Sequence, residues 1–408
     1  MPKLLQINSV VNTGSTGRIA EQLGQMALSE GWDSYIAYGR EAKESNSRLI
    51  RIGSKFDVFV HVIASRFLDC HGLMSRLATK KFLRRIDEIK PDIVHIHNLH
   101  GYYLNCPMLL EYLKAHAIPT VITLHDFWLM TGHCAYINKS CSRWRNGCGK
   151  CPRINQYPAS ILDRSHINWQ WKETVFNEMP NLILIPVSKW LNGYVQQSLL
   201  KNIRSEVIYN GIDTDMFKPY TAKERLSAET GQGSVTGIDW GKFTIMSIAT
   251  RWTDANGYGD VMRLASILPQ DSQMIVVGLD DDQMQNLPGN VIGFKKTENL
   301  AQLRELYTFS DVLYNPNSEV TFGLVTVEAM ACGTPAIVLK DTAGEELVDN
   351  DTGYVVNSVE EVLELIPYIQ KRDKFIVGAA CRERVERLFN ASRQYHKYID
   401  LYKTLLEA

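Results

Sequence analysis

Residues 319–335 combine three features that suit phosphate binding. Phe322 and Gly323 end a loop, a short helix is predicted over 324–331, and a Gly-Thr-Pro turn leads into a predicted strand. Backbone N–H groups at the start of a helix lack intrahelical partners, and a glycine beside them lets phosphate oxygens approach. Glu328, one turn further, is placed to accept hydrogen bonds from the hydroxyl pair of a sugar. The pattern indicates a nucleotide diphosphate site, and the alternative is a buried helix whose glutamate caps a local group.

A second set of candidate groups lies in the first half of the chain. Gly14 and Gly17 follow a predicted strand and open a predicted helix. Their spacing lacks the three glycines of a dinucleotide loop, so a phosphate or sugar contact and a plain tight turn are equally supported. His125 and Asp126 follow another predicted strand, at the sheet edge where α/β proteins bind ligands. A histidine there can hydrogen-bond a sugar hydroxyl or a developing charge, and the alternative is a loop histidine with local partners.

Four of the eight cysteines fall within eighteen residues, namely Cys134, Cys141, Cys148 and Cys151. Four thiolates can hold a tetrahedral zinc ion, and two residues between the last two cysteines is the spacing of a common half-site. A reducing compartment favours a metal or free thiols over disulfides. Three alternatives therefore stay open: a structural zinc ion, reduced thiols packed with Trp144, and a disulfide. His95 and His97 share one face of a predicted strand, and we expect a structural role for both.

Four segments of the chain resemble motifs of the retaining glycosyltransferases of family 4, which have the GT-B fold. The segments occur in the same order as in that family. Residues 319–335 resemble the donor-binding segment, 210–219 the interdomain segment, 123–128 the histidine motif and 12–18 the first glycine loop. Within the family, residues 125–152 are most similar to enzymes that build bacterial exopolysaccharide of the colanic-acid type and O-antigen. The resemblance covers nearly the whole chain.

The resemblance implies a transferase that moves a sugar from a nucleotide diphosphate to a lipid-linked saccharide at the inner face of a bacterial membrane. It assigns catalysis to His125, Asp126, Arg251 and Glu319. It assigns donor binding to Gly14, Gly17, Lys295, Thr321, Phe322, Gly323, Leu324, Val325 and Glu328. Retention without an evident nucleophile favours same-face substitution, in which the protein acts by electrostatic stabilisation of the leaving diphosphate. No catalytic cofactor is expected, since no Asp-x-Asp motif lies in a fitting loop and residues 280–282 are expected in a solvated turn.

Two positions depart from the family pattern. The lysine that usually follows Arg251 by five residues is Asn256, so the basic pair 295–296 is the candidate replacement. The usual spacing of the two glutamates puts the first at Val320, and the neighbouring Glu319 is its candidate replacement. The departures leave open a non-catalytic nucleotide-sugar-binding or regulatory protein derived from this family. A different GT-B enzyme, such as an epimerase or a pyridoxal-phosphate-dependent phosphorylase, is the other alternative.

Length and composition fit a soluble enzyme of more than one domain. A chain of 408 residues is too long to fold around one compact core. Its 44 basic and 45 acidic side chains nearly balance, so the protein has no overall positive charge that would attract nucleic acid. No apolar stretch approaches the roughly 18 residues of a membrane span, and the start lacks the features of a signal peptide. We therefore expect a cytoplasmic protein, with peripheral contact to the inner membrane surface through the basic residues of 56–85.

Alternating strands and helices predict parallel sheets covered by helices on both faces. Together with the resemblance, this alternation predicts the GT-B fold, with two Rossmann-like domains facing each other across a cleft. The acceptor domain is expected over 1–205, with a Cys-rich insertion at 131–158, and the donor domain over 206–390. A last helix over 391–408 is expected to cross back to the first domain. Residues 232–241, rich in glycine and serine, are expected in a surface loop.

Overall fold

The computed structural model divides the chain into two compact units. One comprises Met1–Tyr209 and Ser392–Ala408, and the other Asn210–Ala391. The structure describes residues 1–136, 141–221 and 237–407. The first half of the loop expected over 232–241, residues 232–236, therefore lies outside the described residues.

The first unit is built on a six-stranded parallel sheet with the strand order β3-β2-β1-β4-β5-β6. The strands are β1 (Lys3–Asn8), β2 (Asp33–Tyr38), β3 (Arg48–Arg51), β4 (Ile93–Ile96), β5 (Thr120–Leu124) and β6 (Leu182–Pro186). All residues of β4, β5 and β6 are buried, as expected for parallel strands covered on both faces. The carboxyl end of β1 carries the glycine loop, and that of β5 carries the histidine motif.

Short polar side chains cap the start of three of the six helices described in the first unit. The six helices are α1 (Gly14–Ser29), α2 (Lys55–Leu68), α3 (Arg76–Ile89), α4 (Cys106–Ala115), α5 (Ser165–Asn177) and α6 (Lys189–Val195). The capped helices are α2, α4 and α6. Ser54 accepts a hydrogen bond from the Asp57 amide at the start of α2, and Ser188 accepts one from the Leu191 amide at the start of α6. The break predicted near Gly72 separates α2 from α3.

The second unit repeats the scheme with the strand order β12-β11-β10-β7-β8-β9. Its strands are β7 (Phe243–Ile248), β8 (Ser272–Val277), β9 (Val291–Phe294), β10 (Val312–Asn315), β11 (Ala336–Leu339) and β12 (Gly353–Val356). Its helices are α7 (Tyr258–Ile267), α8 (Asp281–Gln285), α9 (Leu300–Phe309), α10 (Leu324–Ala331), α11 (Val359–Lys371) and α12 (Lys374–Leu388). Residues 280–282 are exposed to solvent as predicted, but the predicted turn is wrong, because Asp280 accepts a hydrogen bond from the Gln283 amide and caps α8.

The last helix, α13 (Ala391–Glu407), packs into the first unit through its tyrosines. Tyr402 shares a hydrogen bond of 2.5 Å with Nδ1 of His95, and Tyr398 shares one of 3.1 Å with Thr123. Both tyrosines are buried. The helix thereby covers polar groups of β4 and β5 that would otherwise lie open. In the part of the chain that the structure describes, no helix has the length and apolar character needed to cross a membrane.

Candidate functional site

The predicted phosphate site of the second unit lies at the start of α10. Gly323 precedes the helix with φ of +100°, in the left-handed region that favours glycine, and its carbonyl accepts a hydrogen bond from the Thr326 amide at 3.0 Å. The amides of Leu324 and Val325 belong to the first turn, where N–H groups have no intrahelical acceptor. The structure therefore forms the helix start that the sequence predicted, and its contact with phosphate stays a prediction.

Two other predicted donor residues of this segment are buried. Glu328 is 8% exposed, and its Oε2 accepts a hydrogen bond from the Tyr307 hydroxyl of α9 at 3.0 Å. Phe322 is 2% exposed and packs edge-on against Phe389, with 5.7 Å between ring centroids. The phenyl ring thus belongs to the core, so that any contribution of Phe322 to donor binding would come from its backbone. Sequence reasoning missed Tyr307, because a tyrosine on an amphipathic helix carries no distinguishing pattern.

A ladder of asparagines connects the loop of Glu319 to the first turn of α10. Asn315 donates from its amide to Thr326 Oγ1 at 3.0 Å, and its own side-chain oxygen accepts from the Asn317 amide at 3.2 Å. The Asn317 side chain in turn accepts from the backbone N–H of Glu319 at 3.0 Å. This ladder fixes the backbone at Glu319. Thr321 follows in the same loop and is half-buried.

Arg251 is exposed on a loop that Asn256 shapes. The Asn256 amide donates to the Arg251 carbonyl oxygen at 2.7 Å, while its side-chain oxygen accepts from the Thr253 amide at 2.8 Å. Gly257, with φ of +92°, closes the loop, and a Cβ there would lie 2.6 Å from Pro316. Sequence reasoning considered Asn256 only as a missing charge. The Thr-x-x-Asn spacing, which is similar to that of a capping box, is the signal that could have predicted its conformational role.

The expected replacement for the family lysine already has a partner. Lys295 forms an ion pair with Asp281, and both side chains are more than half exposed. Exposed ion pairs of this kind contribute little to the stability of the fold. The structure therefore places Lys295 at the surface beside α8, and a contact of Lys295 with the donor stays a prediction.

In the first unit, His125 lies at the end of a chain of hydrogen-bonding side chains. Nε2 of His125 lies 3.3 Å from Nδ1 of His97, and Nε2 of His97 lies 2.8 Å from Oε1 of Gln6. Burial lowers the pKa of His125 to about 4, so the imidazole is neutral at pH 7. His97 is buried, and it orients the predicted sugar-binding histidine. His125 is therefore positioned as a neutral hydrogen-bonding group.

Asp126 is held by its neighbours on both carboxylate oxygens. Oδ2 lies 2.5 Å from Nε2 of His100, and Oδ1 accepts from the Trp128 amide at 2.8 Å. Burial opposes ionisation, but the charge of His100 and its hydrogen bond leave the pKa of Asp126 below its ordinary value. The other nitrogen of His100 lies 3.1 Å from the Tyr157 hydroxyl. These bonds give Asp126 a local role in shaping the turn after β5, and its contact with substrate stays a prediction.

A buried lysine supports the same turn. Lys172 is 1% exposed, and its ammonium group donates to the carbonyl oxygens of Trp128 at 2.5 Å and Thr131 at 2.8 Å. It also lies 3.5 Å from the centre of the Trp128 ring. Burial lowers the pKa of Lys172 to about 7. Sequence reasoning missed this residue, because nothing in the pattern of α5 distinguishes a lysine that points inward.

The glycine loop is a tight turn in the structure. Gly14 has a φ of +62° at the first residue of α1. A Cβ on Gly17 would lie 3.2 Å from the Asn12 nitrogen, which donates to the Gly17 carbonyl at 3.0 Å. Both glycines thus have conformational reasons to be there. Contact of this loop with a donor stays a prediction.

The four clustered cysteines line one cavity, together with the buried Trp144. The sulfurs of Cys134 and Cys151 lie 3.5 Å apart, and the Cys148 sulfur accepts a hydrogen bond from the Gly132 amide at 3.2 Å. All four are free thiols in the structure. Among the described residues, no three His, Cys, Asp or Glu side chains are already arranged around a common metal position. The fold therefore gathers the thiols without closing them into a cage.

Comparison with known proteins gives two family matches. The model described as Glycosyltransferase Family 4 matches residues 16–216, and the model described as Glycosyl transferases group 1 matches residues 259–371. A putative colanic acid biosynthesis glycosyl transferase, WcaC of Escherichia coli K12, is 26% identical, over 98% of this chain and 100% of the relative.

Two solved structures resemble this chain along its length. Sucrose-phosphate synthase from Thermosynechococcus elongatus aligns with a TM-score of 0.70 at 17% identity, covering 100% of both chains. WaaG, a glycosyltransferase involved in lipopolysaccharide biosynthesis, aligns with a TM-score of 0.66 at 13% identity, covering 98% of this chain and 99% of the other. At these identities the likeness concerns the fold, which is GT-B.

Proposed function

Because the chain belongs to the GT-B glycosyltransferases, with a family 4 domain followed by a group 1 domain, we infer that it transfers a sugar from a nucleotide diphosphate donor in bacterial surface polysaccharide biosynthesis. The observation that carries the donor site is the start of α10, where Gly323 precedes the first-turn amides of Leu324 and Val325 and Glu328 lies buried one turn later. The full-length likeness to a colanic acid biosynthesis enzyme supports the assignment to surface polysaccharide.

We propose that transfer proceeds with retention by substitution on one face of the sugar. The bond from the anomeric carbon to the leaving phosphate oxygen breaks, the acceptor oxygen bonds on the same face, and the acceptor proton passes to that phosphate. Negative charge then builds on the diphosphate. Arg251 and the amides of Leu324 and Val325 are the groups proposed to stabilise it. His125, neutral at pH 7, would hold a sugar hydroxyl without adding charge.

The first experiment measures donor binding and turnover separately. Thermal unfolding in the presence of uridine, guanosine and thymidine diphosphate sugars identifies the donor, and release of the nucleoside diphosphate reports transfer or hydrolysis. We expect one donor class to raise the melting temperature and to be consumed, with the product retaining the anomeric configuration by NMR. Stabilisation by a donor with no consumption under any condition would favour the alternative, a non-catalytic nucleotide-sugar-binding protein.

We propose further that the acceptor is a lipid-linked saccharide and that the enzyme works in the cytoplasm at the inner face of the membrane. The resemblance to exopolysaccharide and O-antigen enzymes supports this proposal, because it implies a growing, lipid-linked saccharide as the acceptor. Transfer of a radiolabelled sugar into the organic phase of a bacterial lipid extract tests it. Label that stays in water-soluble products in every extract would contradict a lipid-linked acceptor.

We propose finally that the four cysteines hold one structural zinc ion. Three observations support it: the thiols line one cavity, two sulfurs lie 3.5 Å apart, and a backbone amide already donates to the Cys148 sulfur. The spacing of Cys148 and Cys151 suits half of a four-thiolate site. Binding would require the sulfurs to draw together, because no three ligands among the described side chains are arranged around one position as they stand.

A further inference from the structure

Helix α2 shows the reverse of the polarity expected at a protein surface. Seven of its fourteen residues are exposed large hydrophobic side chains, namely Phe56, Phe59, Val60, Val62, Ile63, Phe67 and Leu68. Phe56 and Phe59 are 72% and 60% exposed. The buried residues of the helix are both polar, His61 and Ser65. A helix that merely covers a core would present these two classes the other way round.

The polar side attaches α2 to the body of the first unit. Nδ1 of His61 lies 2.9 Å from the Ser75 hydroxyl, and Nε2 accepts from the Gly72 amide at 3.1 Å. The helix begins in a capping box in which Ser54 and Asp57 exchange hydrogen bonds. The apolar side is therefore held outward by specific contacts and is not the result of a loosely attached helix.

The exposed residues form a continuous stripe. Phe56, Val60, Ile63 and Phe67 follow one another at spacings of four, three and four, which places them along one face of the helix. The loop at 160–162 extends this surface past the end of α2. Its Ile161 amide donates to the Arg66 carbonyl at 2.8 Å, and Ile161 and Leu162 are 65% and 52% exposed. A contiguous apolar surface of this kind marks an interaction site.

Basic side chains are numerous along α2 and α3. Between positions 55 and 85 there are seven lysines or arginines and two aspartates, of which Asp69 is buried and Asp57 caps α2. Five of the basic residues lie on α3, where all are exposed: Arg76, Lys80, Lys81, Arg84 and Arg85. Further along α3, Arg85 pairs with Glu88. The local charge is thus positive on a protein whose net charge is −1.

We propose that α2 is the segment that inserts into an anionic lipid surface, with its apolar stripe at the boundary of headgroups and acyl chains and the basic residues of α3 against the headgroups. Apolar residues on one face with lysines and arginines beside them are the composition that binds this interface. A second copy of the chain is a poorer occupant, because a symmetric contact through α2 would bring two basic surfaces together. The inference rests on the proposed function in one respect: the proposed lipid-linked acceptor would be located in such a membrane.

Flotation with vesicles tests the inference on the full chain. Wild-type protein, the stripe variant Phe59→Ser/Ile63→Ser and the charge variant Lys80→Glu/Lys81→Glu are mixed with vesicles of phosphatidylcholine alone or with phosphatidylglycerol. The variant Phe375→Ser/Ile376→Ser is the matched control, since it removes two exposed hydrophobic residues from α12, 77% and 70% exposed, far from the stripe in sequence. Thermal unfolding and donor binding verify that every variant is folded.

We expect the wild type and the control to float with anionic vesicles, and both α2 and α3 variants to lose at least about tenfold in partitioning. Added salt should weaken binding by the wild type, because the headgroup attraction is screened. Absence of wild-type flotation, or equal flotation of the stripe variant, would overturn the inference. A wild-type dimer in sedimentation that Phe59→Ser/Ile63→Ser dissociates, without vesicle binding, would assign the stripe to a second copy. Nucleotide-sugar turnover is measured on the same samples, so that failure of the proposed enzyme activity is distinguished from failure to bind lipid.

Discussion

The side-chain amide of Asn256 donates a hydrogen bond of 2.7 Å to the carbonyl oxygen of Arg251. The residue that occupies the place of the family's lysine therefore holds the backbone of the arginine that would face the diphosphate. The same side chain accepts from Thr253, so that one amide closes the whole loop. This chain thus lacks the positive charge of the family's lysine, but the residue in its place restrains the backbone of Arg251.

Replacement of Asn256 should accordingly reduce activity although the residue carries no charge. In Asn256→Ala, two hydrogen bonds are lost, each contributing about 0.5–1.5 kcal/mol, and Arg251 gains freedom. We expect a clear fall in kcat/KM in steady-state kinetics. Lys295→Ala is the control, since its surface pair with Asp281 predicts little change. The reverse pattern, with Lys295→Ala impaired and Asn256→Ala normal, would show that Lys295 serves the donor.

Removal of the Arg251 guanidinium should lower turnover more than donor binding. Negative charge on the leaving diphosphate grows toward the transition state, so Arg251→Ala loses an interaction that is strongest there. We expect kcat to fall by a larger factor than the donor dissociation constant rises, compared by kinetics and calorimetry. An Arg251→Ala enzyme with the wild-type kcat would place the diphosphate elsewhere.

Glu328 and Tyr307 should act as one unit in donor binding. Glu328→Gln should weaken binding by about 1–3 kcal/mol, if a charged hydrogen bond to the ribose is lost. Tyr307→Phe removes the hydroxyl that donates to Glu328 at 3.0 Å, and we expect a smaller loss in the same direction. Calorimetric titration of the double variant completes the cycle. Strictly additive losses would mean that Tyr307 does not position the carboxylate.

The zinc proposal predicts near-stoichiometric metal in protein purified without added zinc. Elemental analysis should find about one zinc per chain, and chelation should lower the melting temperature, because a closed four-thiolate site stabilises the fold that contains it. Cys148→Ser should lose the metal, whereas Cys381→Ser, at a buried thiol of the second unit, should retain it. Metal-free protein with four freely titrating thiols in this segment would contradict the proposal.

Stability should fall as the pH is lowered from about 6.5 toward 4. Burial lowers the pKa of His61 to about 4 and that of His95 to about 3, so the unfolded chain binds more protons than the folded one in this range. Each such histidine contributes a slope of about 1.4 kcal/mol per pH unit to the free energy of unfolding. Urea denaturation between pH 4.5 and 7 should show a shallower slope for His61→Gln.

Glycines and prolines at the ends of helices and strands made several of these elements predictable from the sequence. Gly323 and the Gly-Thr-Pro turn delimit α10 and β11, and the predicted bounds of both agree with the structure. Pro119 and the apolar residues after it indicated β5 in the same way. In each case the residues that begin and end the element are neighbours in sequence, so their conformational preferences are sufficient.

Contacts between distant residues could not be predicted in this way. The path from Gln6 through His97 to His125 joins three strands, and Lys172 reaches carbonyl groups more than forty positions earlier in the chain. No local pattern encodes such partners, because they become neighbours only after the sheet has formed. The exposure of the apolar side of α2 could not be predicted for a related reason. Periodicity identifies an apolar stripe, but it does not tell which side of the helix faces the core.

The packing of α13 has a consequence for synthesis on the ribosome. Residues of this helix cover His95 and Thr123 in the first unit, through Tyr402 and Tyr398. Translation delivers those tyrosines only after every strand of both sheets has been made. The unit that emerges first must therefore wait, with His95 and Thr123 not yet covered, until α13 has been synthesised. The order of completion is thus the reverse of the order of emergence.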